Sequence, residues 1–130
     1  MVKDSSIVYE HSQEQIAKFV ASHFGGNLQR IEIRKFSNGV LYTEEQQLNS
    51  NNVLVIFPNI MNIHEQMFEF ITMIGICQNS KNISALIPYI PYSRQDKSVN
   101  FQNILNIFES LNINKIYTFD IHNDANLPNN

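Results

Sequence analysis

Apolar residues in this chain recur with two periods, and the points where one gives way to the other mark its elements. SSIVYE (5–10) is a short strand candidate, and SQEQIAKFVASHF after it carries Ile16, Phe19, Val20 and Phe24 at helical spacing. That helix opens on Ser12 and Gln15 at capping-box spacing and is stopped by Gly25 and Gly26. LQRIEIRKF (28–36) alternates as a half-buried strand does, SNG (37–39) supplies turn chemistry, and VLYTEE (40–45) reads as the returning strand. NVLVIF (52–57) is apolar almost throughout, the pattern of a strand covered on both faces. Asn62, with Glu65 at capping spacing, predicts a helix to about residue 79 that buries Met67, Phe68, Ile71, Ile74 and Cys77 or their neighbours. SALIPYI (84–90) is a second continuous strand, followed by an amphipathic stripe of Phe101, Ile104, Leu105, Phe108 and Leu111 and by a last strand, IYTFDI (116–121). The polar NDANLPNN (123–130) is expected to fray.

Strand and helix signals alternate from residue 52 to 121, which predicts an α/β domain with a mainly parallel sheet flanked by helices. A length of 130 residues with 43% hydrophobic content suits one such domain and leaves no room for a second. The formal charge is −3 and the nine Lys and Arg are scattered, so neither nucleic acid nor a membrane surface is an expected partner. No apolar run approaches spanning length and no signal-peptide pattern is present, which makes the cytoplasm the expected location. The single cysteine, Cys77, excludes an internal disulfide and is expected as a small buried hydrophobe.

Ligands of parallel α/β sheets bind beyond the carboxyl ends of the strands. Two polar clusters fall there: SRQDK (93–97) after the 84–90 strand, and Asp120 with His122 at the end of the last one. Both also carry a likeness. IPYIPYSRQDK resembles the YARQDR stretch of the ribose-phosphate pyrophosphokinases, KFSNGV (35–40) their RFSDGE, VLVIFPNIMNIHEQMFEFITMIGICQNS their second crossover, and FDIH (119–122) their VDLH. The four matches run in order at plausible spacing through nearly the whole chain, and they correspond to that family's N-terminal domain.

The resemblance implies a single Rossmann-like domain of phosphoribosyltransferase type over residues 1–130, without the family's C-terminal domain. It also implies a family activity of Mg-ATP-dependent diphosphoryl transfer to ribose 5-phosphate, with ATP and Mg2+ as cofactors. The family forms dimers within larger oligomers, so a homo-oligomer, or association with a full-length relative as a non-catalytic subunit, is implied for this chain. By the same likeness Phe36 would stack on adenine from a neighbouring subunit, Asn38 would stand at the adenine edge, Arg94, Gln95 and Lys97 would serve the ATP phosphates and ribose, and His122 with Asp120 would serve magnesium. Two departures change the chemistry. Asn38 and Val40 stand where the family has Asp and Glu, and Lys97 leads into SVNFQNILNIF, with no further base before Lys115 where the family has a basic loop. With half of a bisubstrate site the chain lacks the proximity that transfer needs, so no catalytic residue is assigned.

The residues' own chemistry leaves each of these roles with an alternative. Arg94 has the planar fork suited to bidentate phosphate contact, or is a solvated loop residue paired with an acid. Asp96 orients Arg94 or caps the next helix. Asp120 suits Mg2+ through water, or simply accepts a loop hydrogen bond; His122 offers imidazole to a metal that prefers oxygen. Phe36 is an exposed stacking platform or the last core residue of its strand. His64 and Glu65 belong to a helix start, His11 and His23 to the surface, and Tyr89 and Tyr92 to loop packing or an oligomer interface.

Overall fold

The computed structural model describes residues 4–45, 47–88 and 99–118. In chain order these form β1 (Ser5–Tyr9), a 3-10 turn (His11–Gln13), α1 (Glu14–Phe24), β2 (Asn27–Arg30), β3 (Arg34–Lys35), β4 (Leu41–Tyr42), β5 (Asn52–Ile56), α2 (Ile63–Ile76), β6 (Asn82–Leu86), α3 (Val99–Ser110) and β7 (Lys115–Tyr117). Five strands make a wholly parallel sheet in the order β2-β1-β5-β6-β7, while β3 and β4 pair antiparallel as a separate hairpin. The chain leaves β1 toward one edge through α1 and, after the hairpin, returns beside β1 and builds toward the other edge. The order therefore reverses between β1 and β5, which is the topological switch point of a doubly wound sheet. No described helix is long and apolar enough to cross a membrane.

The continuous apolar runs become the central strands because both of their faces are covered. In β5, Val53 and Val55 face the larger core, and Leu54 and Ile56 the smaller one. The larger core lies under α2 and α3, where Phe70 packs against Phe57 at a ring distance of 4.9 Å and edge-on against Phe108 at 5.7 Å. Cys77 is fully buried in this core, and the apolar surroundings push its thiol up to about 12. The smaller core joins Ile7, Tyr9, Ile56 and Leu86 to Ala17 of α1.

Several elements match the sequence reading closely. Asn62 caps α2 by accepting from the backbone N–H groups of His64 (2.9 Å) and Glu65 (3.1 Å). Phe101, Ile104, Leu105 and Phe108 form the buried stripe of α3, and Leu111 packs against the same core. After α3, Asn112 adopts the left-handed conformation (φ 60°) that commonly ends a helix.

Other expectations are corrected. Ser12 does not begin a capping box: Gln13 is the α1 N-cap and makes no side-chain cap bond, while Ser12 bonds instead with Glu10 and Asn59. The buried face of α1 is turned, so that Ala17 seats the helix on the sheet between Ile16 and Val20, and Phe19 (62%) and Phe24 (59%) stand in solvent. On α2 the core position is Phe70 rather than Phe68, which is 63% exposed, and the helix ends at Ile76, before residue 79. The expected strand 28–36 is broken: β2 stops at Arg30, Ile31 is buried, and only Arg34–Lys35 re-enter pairing. The returning strand is reduced to Leu41–Tyr42. β6 begins two residues before the expected 84, at Asn82, and β7 begins at Lys115. The later parts of the strand readings, at 89–90 and 119–121, and the terminal segment 123–130 lie outside the described residues.

Candidate functional site

At the switch point the loops after β1 and β5 are tied together. The Gln13 side-chain amide donates to the Phe57 carbonyl at 2.8 Å, and Asn59 N–H donates to Ser12 Oγ at 2.8 Å. Glu10, the first residue beyond β1, is buried and accepts from the Ser12 backbone N–H at 2.8 Å and from its hydroxyl. Its carboxylate thereby caps the 3-10 turn and satisfies an N–H that the start of the turn would leave open.

Beside this knot lies a cavity of about 140 Å³ lined by Glu10, His11, Arg30, Ile31, Glu32, Ile33 and Glu69. Burial pushes the Glu69 carboxyl up to about 7, helped by the charges of Glu10 and Glu65 and opposed by Lys35. Burial also raises Glu10, against the Ser12 N–H bond and the charges of His11 and Arg30. Arg30 is already engaged, with one guanidinium nitrogen 3.7 Å from Glu14 and another 3.3 Å from His11 Nδ1. Sequence reasoning passed over Glu10 and Glu69. A signal existed for Glu10, which follows a buried strand at its carboxyl end just as SRQDK does.

The β3–β4 hairpin projects from the adjoining segment. Its end is closed by three bonds: Phe36 N–H to the Val40 carbonyl (2.9 Å), Gly39 N–H to the Phe36 carbonyl (2.9 Å) and Val40 N–H to Asn38 Oδ1 (3.1 Å). Gly39 has φ 91°, the positive value this three-residue loop requires and the reason glycine suits it. Lys35 pairs with Glu65 and ties the hairpin to the first turn of α2. Phe36 is 53% exposed and lies parallel to Tyr42 at 4.1 Å, so it is a supported exposed ring and not the last core residue of its strand. Asn38 and Val40 are exposed beside it.

The remaining sequence candidates, Arg94, Gln95, Asp96, Lys97, Asp120 and His122, lie outside the described residues, as do Tyr89 and Tyr92. Among the described residues no group of three or more His, Cys, Asp or Glu is arranged to hold a metal ion.

A doubly wound parallel sheet with polar loops gathered at the switch point defines a Rossmann-like α/β domain. Its particular kind is fixed by comparison: a family model described as the N-terminal domain of ribose phosphate pyrophosphokinase matches residues 5–108, and the chain belongs to that family. It is 28% identical over 121 residues to the chloroplastic ribose-phosphate pyrophosphokinase 2 of Spinacia oleracea, covering 86% of this chain and 31% of that protein. It is 28% identical over 131 residues to the ribose-phosphate pyrophosphokinase of Oceanobacillus iheyensis, covering 92% of this chain and 41% of that one. Phosphoribosylpyrophosphate synthetase from Mycobacterium smegmatis superposes with a TM-score of 0.77 at 22% identity, over 95% of this chain and 45% of that structure, a likeness of fold. The chain spans about a third of the length of the curated relatives it matches.

Proposed function

We propose that this domain binds a magnesium–nucleoside triphosphate and forms the nucleotide half of a diphosphoryl-transfer site, the ribose 5-phosphate half belonging to another domain or chain. The observation that carries the reading is the exposed Phe36 ring, backed by Tyr42 and held on a bonded hairpin within a domain of this family. A base stacked on such a ring gains contact on a surface that needs no rearrangement. Arg94 would grip phosphate oxygens with its guanidinium fork, Gln95 and Lys97 would add polar contacts, and Asp120 and His122 would hold the magnesium. Magnesium supplies charge neutralisation at the phosphate oxygens. The chain's own residues bind and orient, and with the partner half elsewhere they do not transfer. The reading places the protein in the cytoplasm, among nucleoside triphosphates.

A second reading, supported by the match to this family's N-terminal domain, is a non-catalytic subunit that associates with itself or with a full-length relative and modulates it. Calorimetric titration with Mg-ATP, Mg-ADP and ribose 5-phosphate, with an assay for AMP release, tests the first. Weak nucleotide binding, no ribose 5-phosphate binding and no AMP are expected, and Phe36→Ala should weaken nucleotide binding about tenfold. Nucleotide affinity unchanged in Phe36→Ala would remove the hairpin from the site. Co-expression with a full-length relative, followed by sizing and rate measurement, tests the second; separate elution and an unaltered rate would end it.

A further inference from the structure

Asn38 is the one asparagine of this chain that precedes a glycine, and it stands exposed at the end of the β3–β4 hairpin. An asparagine side-chain amide is open to attack by the backbone nitrogen of the next residue, a ring closure that a following side chain crowds and a glycine leaves clear. The surroundings leave it clear as well, since a Cβ added to Gly39 would meet no atom within 4 Å. The turn also brings the reacting groups together. Asn38 Oδ1 accepts from Val40 N–H at 3.1 Å, which folds the side chain back along the Gly39 peptide unit and draws electron density from the amide carbon, Cγ.

One bond opposes the reaction. Gly39 N–H donates to the Phe36 carbonyl at 2.9 Å, and its nitrogen attacks only after giving up that proton. The hairpin that holds this bond has just two residue pairs, Arg34 with Tyr42 and Lys35 with Leu41, and none of the four belongs to either core. So small and exposed a unit opens without unfolding the sheet.

We propose that Asn38–Gly39 is a covalent modification site, at which the chain converts its own hairpin end from an amide to a carboxylate. Gly39 N, its proton lost to hydroxide, bonds to Asn38 Cγ. The Cγ–Nδ2 bond breaks, and the amide nitrogen takes a proton from water and leaves as ammonia, which regenerates the hydroxide. Water then opens the cyclic imide at either carbonyl, giving aspartate or, with the backbone rerouted through the side chain, isoaspartate. Either product adds a negative charge to the hairpin end. Isoaspartate also lengthens the backbone of the turn and disrupts the bonds that close it. The proposal rests on the turn alone and is independent of nucleotide binding.

The test is incubation of the whole chain at neutral and at mildly alkaline pH, natively and in denaturant, followed by proteolysis and mass spectrometry that locates each amide turned acid. Asn49 and Asn79, each followed by serine, serve as internal standards. In the native chain Asn38 is expected to convert first, faster at the higher pH, into a mixture of aspartate and isoaspartate. Asn38→Gln is expected to lose that earliest product. Earlier conversion of Asn49 or Asn79 overturns the proposal. So does conversion of Asn38 in denaturant alone, which would show that the Gly39 bond holds the turn shut. Aspartate without isoaspartate overturns the imide route, because direct hydrolysis gives aspartate only.

Discussion

Under α2 and α3, Phe70 sits between Phe57 and Phe108 with no exposed surface, and its position is fixed by what surrounds it. On the β3–β4 hairpin Phe36 is 53% exposed, touches one ring, and owes its position to a turn closed by backbone and amide hydrogen bonds. One aromatic is placed by burial and holds the fold together. The other is placed by local bonding and leaves about half of its surface in solvent. The exposed chemistry of the hairpin is therefore set by its own short turn and not by the packing that fixes Phe70.

Truncating each ring separates the two modes of placement most strongly. Phe70→Ala should cost about 3–5 kcal/mol of unfolding free energy, the range for emptying a well-packed aromatic site, measured by chemical denaturation. A loss below about 1 kcal/mol would mean that the Phe57–Phe70–Phe108 cluster does not hold the larger core together. Asn62→Ala removes the cap of the helix on which the hairpin is pinned, and a loss of about 1 kcal/mol is expected.

Glu69 tests the boundary between the two regions. Its carboxyl, ordinarily near 4.5, titrates at about 7 in the folded chain, so the folded state holds the proton more strongly than the unfolded one. Its contribution is fully present below pH 4.5, declines as pH rises and is lost above about 7. Because the carboxylate is partly in water the effect is screened, and Glu69→Gln should raise stability by about 1 kcal/mol at pH 8 with no gain at pH 4. Melts at the two pH values decide it, and an equal shift at both would point to packing instead. The smallest expected effect is on the hairpin itself: Phe36→Ala should leave unfolding free energy within about 0.5 kcal/mol of wild type, in contrast to its effect on binding.

Much of this fold was legible along the chain. Asn62 caps where its spacing to Glu65 indicated, and the α3 stripe is the buried one, because capping and helical periodicity act within a few residues. The α1 stripe was misread because Ile16, Phe19, Val20 and Phe24 are spaced well enough for a helix face, while the choice of face rests with the sheet. Fully buried Ala17 marks the seat on it. At the site, the SNG turn could be read locally, whereas the exposure of Phe36 could not, because it depends on the ring lying over Tyr42 and outside the core. Glu10 and Glu69 could not be paired, because only the packing of α2 beside the β1 end brings them to one cavity.

By itself the sequence determined the alternation of elements, their periods, the Asn62 cap of α2 and the family to which they belong, since each depends on neighbours in the chain or on motifs kept in order. Tertiary structure alone decided the rotation of α1, the break between β2 and β3 and the raised carboxyl of Glu69. Each of these depends on which groups meet across space, where burial removes water and leaves a charge to be satisfied only by its neighbours.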